Sequence, residues 1–196
     1  MTMQILILAA GASSRMRGTD KLLEQVGGQP LIAHVAAVAL ATGCPVSVTM
    51  AADRPLRIKA LRGLPVTRTI VPDPAAGMTA SLQAGLAALP VTDPVMVLLA
   101  DMPDLTPSDL NAILALSRDN PDLIVRACAP NGPPGHPVVF PAWIRPELAA
   151  LIGDPGPREV LKRHTDRLRL IPLPGLHATT DLDTPEDWAA WRCRDT

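Results

Sequence analysis

The 196-residue sequence predicts an α/β fold, a single three-layer α/β/α domain spanning residues 1–196 around a mostly parallel sheet. Three observations predict it. Apolar runs of strand length alternate with amphipathic stretches of helix length, as in successive βαβ units. Several runs are continuously hydrophobic, as expected of strands covered by helices on both faces. The length suits one α/β domain with a sizeable core and little besides.

The strand candidates, in order, are Gln4 to Ala9, Pro45 to Met50, Val66 to Val71, Val95 to Leu99, Leu123 to Cys128, Val138 to Phe140 and Leu168 to Leu173. Helix candidates are Leu31 to Ala41, Leu56 to Arg62, Thr79 to Leu89, Ser108 to Arg118 and Pro185 to Arg192. Thr106-Pro107 and Thr184-Pro185 each read as an N-cap followed by Pro at the first helical position. Asp187, three residues after Thr184, has capping-box spacing. Ligands of such sheets bind beyond the carboxyl ends of the strands, so function is sought there.

Composition narrows the chemistry. Hydrophobic residues at 47% and charged residues at 19% describe a globular protein. Aromatics at 2%, with no Tyr, argue against stacking platforms for single-stranded nucleic acid. A net charge of -1 and the absence of a long basic run argue against any nucleic-acid partner. Cys44, Cys128 and Cys193 are an odd set without metal-like spacing, which points to a reduced, cytoplasmic setting. The opening MTMQILILAA lacks the basic flank and the length of a signal peptide or membrane span, so no membrane partner is expected. Phosphate chemistry on small molecules remains.

Two strand ends fit that chemistry. Leu8 closes the first strand, and Ala9, Ala10, Gly11, Ala12, Ser13 and Ser14 follow. Small residues let backbone approach a ligand, Gly11 offers a freer turn, and consecutive N–H groups there make an anion cradle. Arg15 contributes a fork of donors and Lys21 a mobile point charge. Neither G-x-x-x-x-G-K-[ST] nor G-x-G-x-x-G is present, which excludes a P-loop and argues against a dinucleotide-binding unit. The second end is Asp101, after Val95 to Ala100, a fixed carboxylate suited to Mg²⁺, which takes one or two carboxylates plus substrate phosphates. Asp181 and Asp183 precede the last helix, where Glu186 and Asp187 serve the helix dipole. The first two could complete a metal site from across the fold.

The histidines and tryptophans carry less. His34 sits in an apolar helix as a packing or surface residue, and His164 and His177 have no spaced partners. His136 is expected in a Pro/Gly-rich loop as a hydrogen-bond donor to an acceptor substrate, and Trp143, Trp188 and Trp191 as packing anchors.

Together these residues resemble the molybdenum cofactor (molybdopterin) cytidylyltransferases, within the sugar-phosphate-type nucleotidyltransferase superfamily. The resemblance rests on Leu8-Ala9-Ala10-Gly11-x-Ser13-x-Arg15-Met16 with Lys21-Leu22, on Gly77-Met78-Thr79-x-Ser81-Leu82 with Gly85, and on Asp101-Met102-Pro103. It continues through Gly135-His136-Pro137-Val138, Gly153-Asp154-x-Gly156-x-Arg158 and Asp181-x-Asp183-Thr184-Pro185-Glu186-Asp187. It implies a Rossmann-like sheet of the nucleotide-diphospho-sugar transferase type. It also implies transfer of CMP from CTP to the phosphate of a molybdopterin-type acceptor, with release of pyrophosphate.

The loop from Leu8 to Lys21 would then hold the nucleotide, with Gly77, Met78, Ser81 and Gly85 shaping the nucleoside pocket. Gly135, His136 and Arg158 would face the acceptor. Asp101 and Asp183, the latter ahead of Asp181, would bind Mg²⁺, with Mn²⁺ as a substitute, and Arg15, Lys21 and Asp101 would be catalytic. Ala10, where guanosine-using relatives have Gly, and the Gly-Met-x-x-Ser-Leu pattern resemble a cytidine enzyme. The family spacing Arg-Met-Gly-x-x-Lys is broken by Arg17, which either bulges or takes over a phosphate contact. Alternatives are transfer to a sugar 1-phosphate or another phosphorylated acceptor, and a silent carrier or chaperone of the cofactor. Docking to a molybdoenzyme or its chaperone is compatible with catalysis.

Overall fold

The computed structural model describes residues 2–153 and 156–194; Asp154, part of one motif above, lies outside them. The chain opens with β1 (Gln4–Leu8) and a short hairpin of β2 (Gln25–Val26) and β3 (Gln29–Pro30). It continues through α1 (Leu31–Leu40), β4 (Val46–Met50), α2 (Pro55–Ala60), β5 (Thr67–Ile70), α3 (Met78–Ala87) and β6 (Val95–Leu99). Next come α4 (Pro107–Asp119), β7 (Ile124–Cys128), β8 (Pro134–Phe140), α5 (Arg145–Ala149) and α6 (Gly156–Arg163), then β9 (Leu168–Pro172) and α7 (Pro185–Arg192).

Seven strands form one sheet in the order β5-β4-β1-β6-β8-β7-β9. β1 pairs in parallel with β4 and β6, β4 with β5 and β7 with β9, while β8 runs antiparallel to β6 and β7. The buried side chains of β1 alternate between two cores, which explains its unbroken apolar run. Ile5 and Ile7 face Ala36, Ile113 and Trp188 on one side, and Leu6 and Leu8 face Leu82, Ile144 and Val160 on the other. Helices thus cover both faces, completing the three layers. No helix among the described residues is long and apolar enough to cross a membrane.

Both foreseen N-caps are present as full capping boxes, Thr106 with Asp109 and Thr184 with Asp187. Three differences from the sequence reading affect the site. The segment Gly135-His136-Pro137, expected as a loop, lies inside β8. Antiparallel pairing puts the start of β8 beside the carboxyl end of β6, so these residues still reach the functional edge. The short helix Arg145–Ala149 and the helix Gly156–Arg163 were not foreseen, because each is too brief to show a clear period. Finally, Gly11 is absent from the positive-φ residues; Ser13 (φ 54), Arg17 (φ 52) and Gly18 (φ 101) make the turns instead. The last two absorb the extra residue before Lys21.

Candidate active site

The carboxyl ends of β1 and β6 and the first residues of β8 border one open cleft of about 1120 Å³. Its walls include Leu8 to Ala12, Arg15 and Lys21 from the first strand end, and Gly77, Met78 and Ser81 from the start of α3. Asp101, Asp181 and Asp183 line it next, with Arg126, Gly135, His136 and Arg158 beyond. Most residues proposed from sequence therefore meet in one space. Ser13 and Gly85 do not line it. Ser13 hydrogen-bonds Asp20 and Arg57, and a Cβ on Gly85 would meet Leu6 Cδ1 at 2.5 Å, so that glycine lets α3 pack on β1. Ser81 reaches the wall but is tied to Thr49, Oγ to Oγ1 at 2.7 Å.

At the centre Lys21 bridges two carboxylates. Its Nζ donates to Asp101 Oδ2 at 2.5 Å and to Asp183 Oδ1 at 2.6 Å, while Arg15 pairs with Asp183 Oδ2 at 2.8 Å. Burial alone would lower the Lys21 pKa, but Asp101 and then Asp183 outweigh it and hold it above the ordinary lysine value. Asp181 shifts upward, first through burial and then through the charges of Asp101 and Asp183. Arg17, the residue that interrupts the family spacing, turns outward to Glu186 at 2.7 Å, leaving Lys21 in the cleft.

The donor chemistry suits a divalent cation. Asp101 Oδ1 is buried without a partner, and the oxygen-only set matches a hard ion. No group of three or more His, Cys, Asp or Glu forms a ready metal cage among the described residues. Two carboxylates nevertheless suffice for Mg²⁺ or Mn²⁺ when phosphate oxygens complete the shell. Lys21 holds the intervening position, so a metal taking both carboxylates requires its ammonium to move off them.

The far wall is cationic. Arg126 donates to the Gly135 carbonyl at 2.9 Å, and its pKa is lowered by burial and by the nearby charge of Arg158. Arg158 has no carboxylate partner among the described residues. His136 sits between strands with Nδ1 unpartnered, and burial, then Arg126, push its pKa down to about 4. It is a neutral ring near pH 7. Gly135 permits a close approach: a Cβ there would sit 1.8 Å from the Ala178 carbonyl, the neighbour that also accepts from the His136 N–H at 2.9 Å. This stitches β8 to the loop that carries Asp181 and Asp183.

Two contributors escaped the sequence reading. Arg126 had a signal, a charge inside the apolar run Ile124–Cys128. Arg57 had none, since α2 also carries Lys59 and follows Arg54, and all three read as surface cations. The remaining histidines find acidic partners, His164 with Glu147 and His177 with Asp109, and His34 meets the Pro103 carbonyl.

Comparison with known proteins shows the family and the fold. A molybdenum cofactor guanylyltransferase from Bradyrhizobium sp. strain ORS 278 is 33% identical, covering 97% of this chain and 94% of its own. A nicotine blue oxidoreductase from Paenarthrobacter nicotinovorans is 29% identical over 92% of this chain and 91% of its own. Among solved structures, Rv0371c from Mycobacterium tuberculosis H37Rv superposes with a TM-score of 0.83 at 24% identity, covering 100% of this chain and 98% of that one. A second structure of that protein, complexed with manganese, gives 0.76 at 23% identity, covering 97% of each chain. Residues 5–168 match the family model described as the MobA-like NTP transferase domain, and the chain belongs to that family.

Proposed function

We propose that the protein transfers CMP from CTP to the phosphate of a molybdopterin-type acceptor and releases pyrophosphate, with Mg²⁺ or Mn²⁺ held by Asp101 and Asp183. One observation carries the reading: a single cleft has the loop of small residues after β1 on one side, an arginine without a carboxylate partner among the described residues on the other, and carboxylates on the strand end between them. That is the layout needed to bring a triphosphate and a phosphorylated acceptor together. The family and the Bradyrhizobium relative support nucleotidyl transfer to the cofactor.

An acceptor phosphate oxygen attacks the α-phosphorus of the nucleotide. A new P–O bond forms there while the bond from the α-phosphorus to the bridging oxygen breaks, and that electron pair leaves on pyrophosphate. The phosphate monoester is largely dianionic near neutral pH, its second pKa being about 6, so no strong base is required. His136, neutral at pH 7, donates to or accepts from the acceptor but carries no charge to it. A divalent cation held by Asp101 and Asp183 would supply charge neutralisation at the phosphates. Lys21 and Arg15 would then turn to the triphosphate, with Arg126 and Arg158 holding the acceptor phosphate in line.

Cytidine preference rests on the resemblance of Ala10, which lines the cleft, and of the Gly-Met-x-x-Ser-Leu pattern to cytidine enzymes. The test is pyrophosphate release by the purified protein with Mg²⁺ and molybdenum cofactor, offering CTP, GTP, ATP and UTP separately. Release with CTP alone is expected. Release with GTP alone would keep the reaction and overturn the base preference. No release with any nucleotide would sink the acceptor assignment, bringing forward sugar phosphates, a silent carrier, or the redox activity for which the Paenarthrobacter relative is named.

A further inference from the structure

We infer that Arg57, which lies outside the cleft, is a positioning residue that aims the backbone N–H groups of Ala10 and Ala12 at the triphosphate. The inference rests on the nucleotide reading above and deepens it. Arg57 is fully buried at 0% exposure, and all its N–H donors are used. Nη1 donates to the carbonyls of Ala9 at 2.7 Å and Gly11 at 2.8 Å. Nη2 donates to Ser13 Oγ at 3.0 Å and Asp20 Oδ1 at 2.8 Å, and Nε to Asp20 Oδ2 at 2.7 Å.

Peptide geometry supplies the consequence. In a planar trans peptide the C=O of one residue and the N–H of the next point in opposite directions. Drawing the Ala9 and Gly11 carbonyls onto the guanidinium turns the Ala10 and Ala12 N–H groups the other way, and both residues line the cleft. The Ala9 N–H is already committed to the Thr49 carbonyl at 3.0 Å, whereas those of Ala10 and Ala12 have no acceptor among the described residues. Open space above Gly11, where an added Cβ would meet nothing within 4 Å, leaves room for a ligand. Two aligned, unused donors beside open space make an anion nest.

The same guanidinium sets Lys21. Asp20 accepts from the Leu22 N–H at 3.1 Å and so caps the short turn that begins at Lys21. Burial would raise the Asp20 pKa, but the hydrogen bonds and charge of Arg57 hold it below the usual carboxylate range. A point charge at position 57 could neutralise Asp20 but could not fork to both carbonyls.

The test uses the whole chain with magnesium tripolyphosphate and, separately, cytidine as probes. In the wild type, tripolyphosphate is expected to move the amide resonances of Ala10 and Ala12 more than others in the loop. Arg57→Lys is expected to weaken tripolyphosphate binding by calorimetry at least about ten-fold, the scale of one lost charge-assisted hydrogen bond. Cytidine binding and the near-ultraviolet dichroism should stay unchanged. Equal tripolyphosphate affinity in a folded Arg57→Lys overturns the inference alone. Should that variant fail to fold, the wild-type amide map decides: largest shifts away from Ala10 and Ala12 also overturn it. A wild type that binds no tripolyphosphate removes the nucleotide reading itself and the inference with it.

Discussion

The two walls of the cleft are built on opposite principles. On the nucleotide side a buried guanidinium satisfies the backbone from behind, and the loop of Ala9 to Ser13 is fixed through Arg57 and Asp20. On the acceptor side Arg126 is held only by the backbone of Gly135 and Pro134, and Arg158 has no carboxylate partner among the described residues. The first wall is preorganised without its ligand, and the second has charge left for an anion to complete. Under the proposed function the difference locates the binding energy: the loop after β1 is ordered during folding, whereas the arginine pair would be neutralised when the acceptor binds.

The largest break in this comparison comes from the carboxylate that both walls share. Asp101→Ala removes the proposed metal ligand and a partner of Lys21 at once. Turnover is expected to fall by roughly a hundred- to a thousand-fold, the usual cost of one preorganised electrostatic contact. The fold should be retained, since Asp101 is a strand-end residue beyond the hydrogen-bonded ladder of β6. Wild-type-like pyrophosphate release in that variant would remove Asp101 from the mechanism.

Next in size is the acceptor wall. Arg126→Met keeps a long apolar stem and deletes the guanidinium. The KM for the acceptor should rise about ten-fold, as for one charge-assisted hydrogen bond, while the KM for the nucleotide holds. If both constants rose together, the separation of the walls would fail and Arg126 would belong to the shared centre. Truncating Arg158 in the same background should add less than its single effect, because residues on one anion couple.

How much of this was legible in the sequence follows the range of the forces involved. The sheet, both N-caps and one of the two capping boxes could be read because apolar runs and cap spacing are local patterns. Asp101 could be read for the same reason, as the residue that ends a hydrophobic run. The pairing of Lys21 with Asp183 spans 162 positions, and no sequence reading foresaw it. A bulge at Arg17 was foreseen as one of two outcomes, and Arg17 and Gly18 take left-handed φ there. His136 was misplaced because Pro and Gly normally punctuate loops, yet here antiparallel pairing carries them into β8. Arg57 was illegible because its burial depends on a loop more than thirty-five positions away.

His136 sharpens the acceptor wall through pH. Its folded pKa of about 4 lies below the ordinary histidine value of 6.5, so the unfolded chain binds the proton more readily. The sign is then fixed: the stability tied to a neutral ring is fully present above pH 6.5 and is lost as pH falls toward 4. The shift from 6.5 to about 4 caps this at about 3 kcal/mol. His136→Gln is expected to flatten the urea midpoint between pH 6.5 and 4 relative to the wild type. Parallel acid profiles in the two proteins would show that the ring is already charged or more solvated.

The smallest expected effect tests the loop's departure from its relatives. Arg17 and Glu186 are 2.7 Å apart, but their side chains are 72% and 62% exposed. Exposed pairs of this kind contribute little, and salt screens them. Arg17→Ala should therefore change the nucleotide KM by less than about two-fold and leave the urea midpoint nearly unchanged. The contrast with Arg15 is instructive, because Arg15 sits two residues earlier and grips Asp183 inside the cleft. Were Arg17 to swing onto the triphosphate during turnover, its loss would raise the nucleotide KM by about ten-fold or more, with a strong salt dependence. A small, salt-insensitive change instead identifies the extra residue as a spacer. Its left-handed turn leaves Lys21 in reach of Asp101 and Asp183.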